Sequence, residues 1–320
     1  HLVTTPIRQP IARQQVRAFA IAAQTQLVSL ARADSVLLPA STGQQPAWLI
    51  EVPESVTDIL IAETDAATMR RFARAGDRII EVDQRYMSIG LKGAGKERAW
   101  DKRTPLGVYF VTDSLDTSKL HEKYGIAAFP LDYPNAWDRL NERTGYGIWL
   151  HGVDANNPDR PPLDTDGCLA LPNEELLKLV DRIEPTVTPV IVAKQMDWSP
   201  PDDVEALRLE FRVALDQWRT SLEGGDILTY LALYDDEFRY RDMDRAEWSS
   251  YRLNVFEARQ LNTVELTDVM LVADPVEPDL FLSRFRQILT TADGTVTTTR
   301  RLYWRRNGDH EWKIVSEDSG

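Results

Sequence analysis

The chain has 320 residues, 43% of them hydrophobic and 27% charged, with a formal net charge of −13. That acidic excess argues against binding nucleic acid through its phosphates, and no apolar run approaches the ~18 residues of a membrane-spanning helix. The length suggests two or three domains, and the single cysteine, Cys168, cannot form an internal disulfide, so cysteine usage does not assign a compartment.

The chain begins at His1 rather than Met, as expected of a processed or trimmed chain. Residues 1–10 are polar, with two prolines. From Ile11 to Ala33 the spacing predicts a helix, with Val16, Phe19, Ala20, Ala23, Leu27 and Leu30 on one face. Such a helix either packs on its own domain or forms an arm that pairs with a second copy of the chain, giving a homodimer. Pro39, Gly43 and Pro46 end it.

A new domain is expected from Ala47. Trp48–Ile50 and Asp58–Ala62 read as strands. Ala66–Ala75 reads as a short helix, with Met69, Phe72 and Ala73 on one face. Arg78–Ile89 alternates around Ile80, Val82 and Met87 as a strand, and Val108–Val111 is another. The loop Gly90–Arg103 lacks the spacing of a phosphate-binding loop. Leu115–Arg143 is long and rich in aromatic residues, and reads as a wall over a site. His121 in this stretch reads as a surface histidine.

Two residues then stand out. His151 ends the apolar run Ile148–Leu150, and a polar, proline-bearing loop, Val153–Asp164, follows. Cys168 follows Gly167, and Leu169 and Leu171 resume a buried pattern. A cysteine nucleophile needs a nearby base to form its thiolate, and a third group to orient the imidazole. Adjacent strands on either side of the loop bring His151 and Cys168 together. Gly167 lets the backbone approach a substrate, and the Cys168 N–H can point at a developing oxyanion. The four histidines show no ligand spacing, so neither a metal nor another cofactor is implied.

Beyond the site, Asn173 is placed to cap a helix buried through Leu176, Leu177 and Val180, with Glu174 and Glu175 in its first turn. Glu184-Pro185 stops it, and Val187–Ala193 is the last strand of the domain. Asp197–Asp203 is a linker by composition. Val204, Leu207, Phe211, Leu215 and Trp218 mark a helix, Gly224-Gly225-Asp226 breaks it, and Ile227–Tyr234 is a second short helix. Alternating strands follow over Thr263–Val272, Asp279–Leu289, Val296–Trp304 and Glu311–Val315.

His151-Gly152, the polar loop and Thr165-Asp166-Gly167-Cys168 resemble the base and nucleophile segments of the L,D-transpeptidase (YkuD-type) family. Thr104-Pro105-Leu106-Gly107-Val108-Tyr109 resembles its strand entry, and Tyr133-Pro134-Asn135-Ala136 a segment of one branch. Trp218, Gly225-Asp226, Tyr230–Tyr234 and Trp312–Val315 resemble the NTF2-like (SnoaL-type) fold. The resemblances imply an α+β multidomain chain. An N-terminal helical arm spans 1–46, a mostly-β YkuD-type catalytic domain 47–195, and an α+β NTF2-like cone 204–320 whose pocket can bind an unknown ligand, catalyse or merely be filled, with a binding module or a dimer scaffold as its expected role.

The family acts on peptidoglycan stem peptides. Its cysteine attacks the carbonyl of the third, L-centred diamino acid, releases the D-alanine beyond it and forms a thioacyl enzyme. Water then yields a trimmed stem; an amine yields a cross-link or an attached protein. Carried over, Cys168 is the nucleophile, His151 the base, and the Gly152 carbonyl the group that orients His151. The N–H groups of Gly167 and Cys168 form the oxyanion hole, with Thr165 and Asp166 in the nucleophile loop. Tyr133, Trp149 and Arg139 are the expected substrate contacts, Arg139 for a carboxylate.

Many family members carry His where Asp166 stands, and Arg or Asn where Ala170 stands; their loss weakens the case for an amine acceptor. The layout resembles the periplasmic L,D-carboxypeptidases that set cell curvature, and the segment after Cys168 also resembles a branch that detaches proteins from peptidoglycan. Hydrolysis of tetrapeptide stems is therefore the expected activity, with transpeptidation second. The non-enzymatic alternative is a cell-wall binding module.

Overall fold

The computed structural model describes residues 43–76, 78–258 and 261–320. The expected helix over 11–33, and any homodimer formed through it, lie outside these residues. In chain order the main sheets begin with β1 (Leu49–Glu51), β2 (Asp58–Glu63), β3 (Thr68–Ala75), β4 (Arg78–Tyr86) and β5 (Gly107–Phe110). Next come β6 (Ala128–Pro130), helix α1 (Ala136–Leu140), β7 (Trp149–His151), β8 (Leu169–Ala170), helix α2 (Asn173–Val180) and β9 (Pro189–Ala193).

Five of these strands form one sheet in the order β4-β3-β2-β9-β5. The two apolar runs Ile59–Ala62 and Val190–Ala193 lie side by side in parallel at its centre, buried on both faces. Leu60, Ala62, Val190 and Val192 face the site-bearing side, with Leu150, Leu169 and Leu176 packed over them. Ile59, Ile61, Ile191 and Ala193 face the C-terminal residues, among them Met270, Leu280 and Tyr303.

This two-sided burial corrects the helix expected over Ala66–Ala75, which is strand β3. Met69 packs into the first core and Phe72 into the second. Their three-residue spacing therefore marks two faces of a strand and not one face of a helix. The charged residues between them are neutralised on neighbouring strands: Arg70 pairs with Glu63 and Glu81, and Arg71 with Asp58 and Asp83.

The stretch expected to be one irregular wall contains β6 and α1, and two single turns at Thr117–Lys119 and Glu122–Tyr124. Helix α1 starts with a capping box in which Asn135 and Asp138 satisfy each other's backbone N–H groups.

The C-terminal residues form helices α3 (Pro201–Glu223), α4 (Ile227–Ala232) and α5 (Arg245–Ala258), and strands β10 (Tyr234–Arg239), β11 (Thr263–Ala273), β12 (Leu280–Thr291), β13 (Gly294–Arg306) and β14 (Trp312–Asp318). Their sheet runs β10-β14-β13-β12-β11-β1. Strand β1 therefore extends the C-terminal sheet, although the sequence groups it with the residues that follow. Phe211, Trp218, Tyr230, Phe238, Trp248, Phe285 and Trp304 fill the core between this sheet and its helices. Tyr234, expected to end the second helix, opens β10.

Arg301 on β13 ties the two parts together. It pairs with Asp318 beside it and with Asp132, just beyond β6. Asp132 is held in part by the Phe110 N–H, 2.8 Å away, and burial pushes its carboxyl above the usual range. Removing one partner of a buried pair strands the other. Arg301→Met is expected to lower unfolding stability at neutral pH by about 3–5 kcal/mol. Protonated Asp132 needs no cation, so the deficit should narrow as pH falls. Urea denaturation at several pH values checks both.

Candidate active site

Strand β7 carries His151 and β8 follows Cys168. The two strands pair in parallel, Leu150 opposite Leu169 and His151 opposite Ala170. Side chains alternate along a strand, so the buried Leu150 and Leu169 face the core while His151 and Ala170 face the other way. Cys168, two residues before Ala170, shares that face. The expected base and nucleophile are therefore diagonal neighbours on one sheet surface. Trp149 lies on the same surface. Tyr124, from the loop above, packs at 4.7 Å on the Trp149 ring and edge-on at 5.1 Å to His151.

His151 is 4% exposed, and its Nδ1 lies 2.5 Å from the Gly152 carbonyl oxygen. A carbonyl only accepts, so Nδ1 carries the proton and Nε2 is the free base, as general-base chemistry requires. Asn173 fixes the turn that follows. Its Oδ1 accepts from the Val153 N–H at 3.0 Å and the Ile126 N–H at 3.4 Å, and its Nδ2 donates to the Val153 carbonyl at 2.8 Å. Asn173 therefore does not cap α2, as its sequence position suggested; Pro172 occupies the cap without a side-chain bond. Leu179, not the exposed Leu177, helps bury that helix.

The nucleophile loop is held by two threonines. Thr165 Oγ1 donates to the Cys168 carbonyl at 2.7 Å and accepts from the Gly167 N–H at 3.1 Å. Thr104 Oγ1 donates to the Gly167 carbonyl at 2.9 Å. Gly167 has φ +129°, and a Cβ there would lie 2.6 Å from the Arg103 carbonyl oxygen, so only glycine fits. Of the two expected oxyanion donors, the Gly167 N–H is engaged with Thr165. The Cys168 N–H has no protein acceptor among the described residues and is left to meet an oxyanion.

The Cys168 side chain keeps part of its surface in solvent, and Sγ reaches the Gly147 carbonyl at 3.4 Å. Protein packed around the sulfur nevertheless disfavours the thiolate and pushes the thiol up to about 11, with Lys123 and Arg160 pulling the other way. Burial likewise holds His151 down to about 4. The resting pair is therefore a neutral thiol beside a neutral imidazole.

The remaining expected residues separate. Asp166 is exposed and lies 3.6 Å from Lys102. Tyr133 is 4% exposed, packs edge-on to Tyr109 and donates to the Thr144 carbonyl at 3.1 Å; it supports the fold beneath the loop. Arg139 bonds the Pro134 carbonyl and lies 3.9 Å from Asp318 of the C-terminal sheet, so its partners are not at the His151–Cys168 surface. Tyr124, Thr104 and Asn173 are the positioning residues that sequence reasoning did not assign. Among the described residues no cluster of three His, Cys, Asp or Glu side chains could hold a metal ion.

Three outcomes follow from this geometry. Asn173→Ala frees the turn bearing His151, and kcat/KM should fall about 100-fold while the chain stays folded, since small displacements of a catalytic group cost rates of that order; steady-state kinetics with circular dichroism checks this. Iodoacetamide should label resting Cys168 slowly at neutral pH, with the rate rising up to pH about 11. Neutral His151 is the active form and is lost only as pH falls through about 4, so the acid limb of kcat/KM belongs near there and not near the ordinary histidine value.

The family model for the L,D-transpeptidase catalytic domain (YkuD) matches residues 58–192, and that for the Cds6 C-terminal NTF2-like domain matches residues 210–318. No curated protein sequence matches the chain. Among solved structures, Bd1075 of Bdellovibrio bacteriovorus is 24% identical, covering 87% of this chain and 98% of its own, with a TM-score of 0.71. The helical cell shape determining protein Pgp2 of Campylobacter jejuni is 21% identical, covering 92% of this chain and 99% of its own, with a TM-score of 0.67. At these identities the likeness establishes the fold. The chain therefore joins a YkuD catalytic domain to a Cds6-type NTF2-like domain, and is a peptidoglycan-modifying cysteine enzyme of the L,D-transpeptidase family.

Proposed function

We propose that the enzyme is an L,D-carboxypeptidase that removes the terminal D-alanine from tetrapeptide stems. The observation that carries this choice is Ala170. It stands directly opposite His151, on the surface that His151 and Cys168 share, and its backbone is tied to Ser88 by bonds of 2.8 and 2.9 Å. A polar side chain there would meet an incoming amine; a buried methyl offers it no hydrogen bond. Water needs no such pocket.

In this reading Nε2 of His151 takes the Sγ proton as sulfur attacks the carbonyl carbon of the third residue. The Cys168 N–H receives the oxyanion. The tetrahedral centre collapses, the C–N bond breaks, and imidazolium returns the proton to the leaving amine of D-alanine. Water then enters, His151 accepts its proton, and hydroxide displaces the thiolate, which recovers the proton as the free thiol. Because both groups begin neutral, proton transfer accompanies attack and no ion pair precedes it.

The fold shared with Pgp2 supports extending a role in cell shape to this chain, and the substrate implies a periplasmic location. The test is mass analysis of muropeptides incubated with wild type and with Cys168→Ala. Wild type should shorten tetrapeptide stems by one alanine without new dimers, and Cys168→Ala should leave them intact. New dimers joined between third residues, or exchange of the terminal D-alanine, would replace this reading with transpeptidation.

A further inference from the structure

Cys168 and His151 bring no charge to the resting site, yet two cations border it from separate loops. Lys123 lies in the turn Glu122–Tyr124, with Nζ 4.9 Å from the centre of the Tyr124 ring. That ring is the one packed 5.1 Å from His151 and 4.7 Å from Trp149. Among the described residues the Lys123 side chain has this ring, and no carboxylate, as its partner. Arg160 lies in the loop after His151. Its guanidinium lies 3.3 Å from Asp164, and its carbonyl accepts from the Tyr86 hydroxyl at 2.7 Å, which anchors the loop.

We propose that Lys123, assisted by Arg160, receives the terminal carboxylate of the residue that leaves, and so restricts the enzyme to free C-terminal ends. The substrate assignment rests on the reading above. A bound C-terminal residue brings a full negative charge into a surface whose catalytic groups cannot neutralise it, and an unpaired carboxylate removed from water is strongly disfavoured. Lys123 is the cation without a competing acid, and its aromatic support limits the side-chain freedom lost on binding. Arg160 already has Asp164, so its share is the smaller.

Both cations disfavour a charged His151 and favour the Cys168 thiolate, in keeping with their closeness to the pair. Asp166 opposes them at the sulfur. A carboxylate bound at Lys123 offsets that cation's effect on the imidazole, so His151 becomes a stronger base when a free C-terminus is in place.

The test compares a tetrapeptide stem ending in a free carboxylate with the same stem ending in a carboxamide. Binding is measured by calorimetry on the Cys168→Ala protein, and release of the terminal residue on the otherwise wild-type protein. The carboxylate form should bind at least about tenfold more tightly, the range of a charge-assisted hydrogen bond. Adding Lys123→Ala should erase that preference while affinity for the carboxamide stays unchanged. Lys123→Arg should keep most of the preference, and Arg160→Ala should reduce it in part. Equal binding of the two stems, a preference that survives Lys123→Ala, or no binding of the carboxylate form would overturn the proposal. The two ideas fail separately. Equal trimming of acid and amide stems leaves the carboxypeptidase and removes the carboxylate site, whereas a Lys123-dependent preference with dimers as products does the reverse.

Discussion

Parallel pairing of Trp149–His151 with Leu169–Ala170 is the constraint on which the catalytic surface depends. Because side chains alternate, a slip of one residue would turn either His151 or Cys168 into the core. The register is held by Leu150 and Leu169, both fully buried, and each worth roughly 1.5–3 kcal/mol against exposure. The strands are also clamped at both ends. Thr104 and Thr165 fix the chain entering β8, and Asn173 fixes the chain leaving β7. The apolar core therefore sets catalytic geometry through backbone registry, with few contacts to the catalytic atoms themselves.

The same burial that fixes the geometry sets the charge state. Desolvation acts on Cys168 and His151 in opposite directions and leaves both neutral. Thiolate, not thiol, is the form that oxidants and electrophiles attack. A resting thiol of this kind is protected against oxidants while remaining available to a substrate that approaches His151 and Cys168 together. Lys123 and Arg160 temper that neutrality from the rim without abolishing it.

What the sequence disclosed depended on how local the information was. His151 and Cys168 were legible because a short strand, a loop and a glycine-bearing turn each leave a contiguous pattern. The strands β2 and β9 were legible as unbroken apolar runs. Strand β3 was misread because a sheet covered on both faces buries Met69 and Phe72 on opposite sides, and their spacing then imitates a helix. Helix α5 left little trace, since it buries only Trp248 and Arg252. Tyr133 drew attention as an aromatic in a promising loop, yet its hydroxyl is committed to Thr144. Arg139 is committed to Pro134 and Asp318. The partners of Asn173 and Tyr124 are distant in sequence, so no periodicity could have exposed them.

Strand β1 carries a consequence for how the chain assembles. Leu49 and Glu51 hydrogen-bond to β11, whose residues are made long after the catalytic strands. The outer edge of the C-terminal sheet is thus supplied by a segment made before every catalytic strand. Until the C-terminal strands arrive, β1 has nothing to pair with, and until β1 docks, β11 presents an open edge. The C-terminal domain is consequently not simply strung after the first: cut away just ahead of α3, it would lose β1 from its sheet, whereas the five-stranded sheet would keep all its strands. Completion of the fold is a late, long-range event, of the kind that makes assembly slow and partly made chains prone to associate.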